Sequence, residues 1–115
     1  MFDMPRLVKP GDSAWNEAVS VAQMVFGSGV NLALIHHLAG RGEPVTRTQL
    51  AEELTEFSPA TLSKAVGVLA QAGVLEKTPV LGPATGRLNH AFSVKEKRIE
   101  ELLGSLRLYA LGAED

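Results

Sequence analysis

Residues 58–75 read SPATLSKAVGVLAQAGVL, a helix marked at both ends. Ser58 can cap it with its hydroxyl, and Pro59 falls at the first helical position, where its missing N–H costs nothing. Gly73 stops it after Ala72. Leu62, Ala65, Val66 and Leu69 recur at i, i+3, i+4 and i+7, so one face is predicted to point inward. Ala60, Ser63, Lys64, Gly67 and Gln71 share the opposite face, with Thr61 beside them. A helix that only fills a core does not need Thr61, Ser63 and Lys64 in its first two turns. Hydroxyls and unpaired N–H groups at a helix start suit phosphate oxygens, helped by the helix dipole. Thr and Ser also reach base edges in a major groove. The plain alternative is a well-capped helix with an ordinary solvated face.

The flanking segments decide between these readings. Thr46-x-x-Gln49 is a capping box, opening a helix near Arg47 that runs to about Leu54 and buries Leu50 and Leu54. TEF (55–57) joins it tightly to the helix at 58. Further upstream, Asp12 or Ser13 is expected to cap a first helix. Trp15, Ala18, Val19, Ala22, Val25 and Phe26 follow in it at helical spacing, with Val21 and Met24 as a second apolar stripe. GSG (27–29) breaks the chain, Val30 to Leu38 forms a second helix, and AGRGEP (39–44) ends it.

After Gly73 the period changes. VLEKTP (74–79) reads as a strand, VLGPATG (80–86) as a turn and RLNHAFSV (87–94) as an alternating strand. Leu88, Ala91 or Phe92, and Val94 are its inward candidates. Ser93-x-x-Glu96 reads as another capping box for a last helix. That helix carries Ile99, Leu102, Leu103, Leu106 and Tyr109 or Ala110 on one face and Leu108 and Leu111 on a second. Gly112 closes it.

A short-turn helix pair followed at once by a hairpin is the layout of a winged helix-turn-helix. The expected fold is mainly α with a β-hairpin wing. With 115 residues, the chain fits one domain over 12–112 behind a flexible arm at 1–11. The net charge of −2 means that any site for a polyanion must be a local concentration of cations. The absence of cysteine excludes disulfides, thiolate zinc sites and cysteine nucleophiles. MFDMPRLVKPGDSAW has no apolar run of the kind a signal peptide needs, and no 18-residue apolar stretch occurs elsewhere. A soluble, cytoplasmic protein without a membrane partner is expected.

LAEELTEFSPATLSKAVGVLAQAGVLEK followed by a glycine turn and GRLNHAFSV resembles the ArsR-type winged-helix repressors. Leu50, Ala51, Leu54, Ser58, Thr61, Ser63, Val66, Leu69, Gly73, Val74 and Leu75 match that pattern, and the similarity extends over roughly residues 20–111. MarR-type winged helices share much of it. The resemblance implies a homodimer joined through first and last helices, binding a palindromic operator in double-stranded DNA as a repressor. The sensor cysteines of that family are absent, and its paired Asp, His and Glu are missing from the last helix. No metal and no cofactor are therefore expected.

On this reading Ala60, Thr61, Ser63 and Lys64 lie nearest the bases, and Arg47, Thr48 and Ser58 hold phosphates. Lys77, Arg87, Asn89 and His90 belong to the wing, whose plain alternative is a solvated hairpin with Glu76 cancelling one charge. Trp15, Val21, Met24, Leu106, Tyr109 and Leu111 are the expected dimer interface; the two aromatics serve equally as core. His36 and His37 diverge by about 100° on a helix and cannot easily share an ion. KEKRIEE (95–101) reads as a solvated face. No phosphate-binding glycine loop or catalytic constellation occurs, so an enzyme is not expected. The rival reading is a winged-helix protein–protein interaction module without specific DNA binding.

Overall fold

The computed structural model describes residues 14–81 and 88–112, with the backbone alone at Leu88. The described residues form α1 (Glu17–Phe26), α2 (Gly29–Arg41), β1 (Val45–Thr46), α3 (Arg47–Glu53), α4 (Pro59–Gln71), β2 (Leu75–Leu81), β3 (Leu88–Val94) and α5 (Glu96–Leu111). The fold is mainly helical with a small three-stranded antiparallel sheet in the order β1-β3-β2. The arm expected at 1–11 and the proposed caps Asp12 and Ser13 lie outside the described residues.

The first helix starts later than its apolar stripe suggests. Asn16 caps it, accepting from Val19 N at 3.0 Å, so Trp15 precedes the helix. Trp15 Nε1 instead donates to Ser20 Oγ. Val19, Ala22 and Val25 are buried as the 3.6-residue period requires. At Gly27 and Ser28 the axis turns by 83° into α2. Ser28 caps α2 through Asn31 N, and the Asn31 side chain reaches back to α1. Its Nδ2 donates to the Met24 and Val25 carbonyls, both at 3.3 Å. Those carbonyls close the last turn of α1 and have no further turn to accept from, so one buried amide locks the elbow.

The second helix runs past Leu38 to Arg41, because Ala39 and Gly40 continue it and only Gly42, left-handed at φ 75°, ends it. Thr46 and Gln49 form the expected capping box of α3. Val45 and Thr46 also form β1, which pairs Val45 with Phe92 and Thr46 with Ala91. Ser58, Pro59 and Gly73 bound α4 as expected; Gly73 has φ 82°.

The hairpin is longer than its sequence pattern. Val80 and Leu81, expected in the turn, remain paired with Asn89 and Leu88. Pro79 is tolerated because β2 is an edge strand. The expected Ser93–Glu96 capping box does not form. Ser93 is held in β3 opposite Glu76, and Lys95 becomes the N-cap of α5 without a side-chain cap. The helix start is fixed from outside: Lys95 N donates to the Val74 carbonyl, and Arg98 Nε to the Ala72 carbonyl.

One core joins these elements. Phe92, Leu34, Leu50, Leu69 and Leu102 are fully buried, with Val45, Val66 and Val74 between them. Burying each large apolar side chain stabilises by about 1.5–3 kcal/mol. In α5 only Leu102 is buried; Ile99 and Leu106 are half-buried, Leu103 is exposed, and of the alternatives Tyr109 and Ala110 it is Tyr109 that is half-buried. No single described helix is long and apolar enough to cross a membrane. The bent pair α1–α2 reaches the length only when its two parts are joined.

Candidate functional site

α4 carries its residues on the two faces that its period demands. Leu62, Ala65, Val66 and Leu69 are buried, whereas Ala60, Thr61, Ser63, Lys64, Gly67 and Gln71 are exposed. Core packing therefore fixes the helix while its small outer face stays open. Ser58 is exposed, but its hydroxyl is committed. It accepts from Thr61 N at 3.1 Å and donates to Thr61 Oγ1 at 2.9 Å. The outward donor is thus the Thr61 hydroxyl, and Ser58 acts by orienting it.

Arg47 and Thr48, exposed at the start of α3, face α4 across an open groove of about 470 Å³ lined also by Leu50, Pro59, Ala60 and Ser63. The Arg47 guanidinium lies 4.9 Å from the centre of the Phe92 ring. This contact ties the head of α3 to the central strand. Phe92 pairs with Lys77 across the hairpin, and directly opposed residues share a face. Arg47 and Lys77 therefore meet on one side of the sheet. They border a second concavity, of about 490 Å³, together with Gly67, Ala70, Gln71 and Lys95.

The other hairpin residues divide by strand alternation. Half-buried His90 pairs with Pro79 and lies on the Lys77 face, whereas exposed Asn89 pairs with Val80 and lies on the other. The sheet does not bring Asn89 together with Lys77. Arg87 lies outside the described residues. Lys95, read from sequence as part of a solvated helix face, is exposed but borders the concavity beside α4. No local signal in KEKRIEE identifies it, because its place depends on α5 docking against the end of α4.

A group of charges at the ends of α2 and α3 is paired internally. Glu53 receives hydrogen bonds from Arg41 and from His37, the latter at 2.6 Å, and Arg41 also reaches Glu43 at 3.2 Å. The Arg41 guanidinium, and then His37, hold the Glu53 carboxyl below the usual glutamate range. Bonds to Glu53, and then Glu43, raise Arg41. This junction binds the end of α2 to the end of α3. His36 is exposed beside it, and among the described residues no three acidic or histidine side chains gather as a metal site.

Of the residues expected at a dimer interface, Met24 and Leu111 are exposed. Val21 and Leu106 pack partly on the core. Trp15 and Tyr109 meet each other edge-to-face with centroids 5.0 Å apart, joining the head of α1 to the end of α5.

No protein-family model matches the chain, and no curated protein matches it. The functional reading rests on the residues themselves.

Proposed function

We propose that this chain is a sequence-specific DNA-binding regulator of winged helix-turn-helix type, acting as a homodimeric repressor on a palindromic operator. In this reading α3 and α4 are the helix-turn-helix pair, and β2 with β3 is the wing. Ala60, Thr61, Ser63 and Lys64 meet base edges in the major groove, while Arg47, Thr48 and Lys77 meet phosphates.

One observation carries the proposal. The exposed hydroxyl-bearing head of α4 stands beside Arg47, the later turns of the same helix stand beside Lys77, and neither cation forms an ion pair among the described residues. A chain of net charge −2 thus keeps unpaired positive charge next to a helix start. The homodimer is supported by apolar side chains left in solvent on α1 and α5: Met24 is 41% exposed, Leu108 55% and Leu111 73%. In such a dimer the two copies of α4 lie one duplex turn apart, ~34 Å. The similarity to ArsR-type repressors agrees with this arrangement.

Selection of bound duplexes from a random pool tests the proposal. Enrichment of a palindrome is expected, with a complex containing two chains per duplex. Recovery of no sequence above background contradicts it. The groove between α3 and α4 suits a second reading, a winged-helix adaptor for another protein, because Ala51, Pro59 and Ala60 present small apolar groups along it. That reading requires duplex binding to be absent or insensitive to salt.

A further inference from the structure

We infer that the trough between α4 and β2 is a phosphate channel, in which a stretch of DNA backbone passes close to Gly67 and is held by Arg47, Lys77 and Lys95. The inference rests on the DNA-binding reading and adds to it a path for the backbone and a residue, Lys95, outside the helix pair and wing.

Three cations reach the trough from three separate elements. Arg47 is the first residue of α3, Lys77 the third of β2, and Lys95 the N-cap of α5. None has an ion-pair partner among the described residues, whereas Arg41 pairs with Glu43 and Glu53 and Arg98 pairs with Glu101. The one described carboxylate that borders the trough is Glu76, so the three cations leave a local excess of positive charge there. Like charges converging on one concavity repel each other, and a polyanion relieves that repulsion.

The Arg47 guanidinium is held in place, and Lys77 and Lys95 are fixed at their backbones. Arg47 lies over Phe92, Lys77 stands opposite Phe92 in register, and the Lys95 backbone is fixed by its bond to the Val74 carbonyl at 2.8 Å. The α4 wall of the trough consists of Gly67, Ala70 and Gln71, and it is bare at the first two. Gly67 and Ala70 contribute no side chain beyond a methyl group. A Cβ at Gly67 would meet nothing within 4 Å, so internal packing does not require glycine there. Glycine inside a helix costs stability relative to alanine. A backbone strand that must pass close to α4 supplies a reason for it.

The test uses the full chain, a duplex carrying its selected site, and a mixed-sequence duplex of equal length, with binding followed by anisotropy across a salt series. Lys95→Ala is expected to weaken both duplexes about five- to tenfold near 0.1 M salt and to reduce the salt slope by ~0.9. Lys95→Arg restores both, and Lys97→Ala, the same charge change two residues on, binds like the parent. Gly67→Leu is expected to raise Tm by about 3–5 °C while weakening both duplexes at least tenfold. A structural role for Gly67 would move stability and binding together. If the parent binds with a steep salt slope but Lys95→Ala keeps that slope, or Gly67→Leu binds unchanged, the channel is overturned and the DNA reading stands. If the parent binds neither duplex, both fall.

Discussion

The Arg47 guanidinium lies over the face of Phe92, a residue with no exposed surface, and so joins the start of α3 to the middle strand of the sheet. The contact gives Arg47 two tasks: it braces the α3–sheet junction and presents positive charge beside α4. Arg47→Met keeps the apolar stem and removes the charge, so its stability loss should be about 0.5–1 kcal/mol. Phe92→Ala should cost about 3–5 kcal/mol. Urea unfolding of the two variants checks this order; an Arg47→Met loss equal to that of Phe92→Ala would show a buried structural role instead.

Asn31 is the buried polar side chain at the α1–α2 elbow, donating to the Met24 and Val25 carbonyls. Asn31→Ala leaves those carbonyls without that donor and should destabilise by about 1–3 kcal/mol. Asn31→Asp is expected to cost more near neutral pH, since it sets a carboxylate against two carbonyl oxygens. Thermal unfolding at pH 7 measures both.

The Glu53 junction makes stability depend on pH at the acid end. The Glu53 carboxyl titrates below its unfolded value, chiefly through Arg41 and then His37. Its contribution is therefore complete above the ordinary glutamate pKa of ~4.3 and is lost as pH falls through the lowered folded value. The stability difference between parent and Glu53→Gln should shrink as pH falls below about 5. A difference that stays flat through the carboxylate range would mean that the ion pairs do not form in solution.

Two glycines should respond in opposite ways to alanine. Gly73 sits at φ 82°, and an added Cβ would come to 3.4 Å from Arg98 Nε, which is itself bonded to the Ala72 carbonyl. Gly73→Ala should destabilise by about 1–2 kcal/mol from the left-handed backbone alone. Gly67→Ala, in open space on a helix, should stabilise by about 0.8–1 kcal/mol. Denaturant midpoints of both variants against the parent decide it.

The parts of the fold that were legible in the sequence are those set by near neighbours. Ser58, Pro59 and Gly73 mark α4 within its own turns, and Thr46 with Gln49 marks the start of α3. The two faces of α4 follow from spacing alone. What local pattern could not show depends on distant pairing. β1 is two residues long and exists because Val45 and Thr46 meet Phe92 and Ala91. Ser93 looks free to cap α5, but its place opposite Glu76 in the sheet removes it from that role. Trp15 fits the α1 stripe by spacing, yet Asn16 caps the helix after it. At the site, Thr61, Lys64 and Arg47 were visible as exposed polar or basic residues at helix starts. Lys95 was not, because only the docking of α5 on the Val74 carbonyl brings it beside α4.

The central claim is that a duplex meets the protein at the open head of α4 and along the hairpin side that carries Lys77. Amide chemical-shift mapping of the isotope-labelled chain, titrated with its selected duplex, tests that location directly. The largest changes are expected at Ala60–Lys64, Arg47–Thr48 and Lys77, with α2 little affected. Changes centred on other helices, with residues 60–64 unmoved at saturation, would contradict the account.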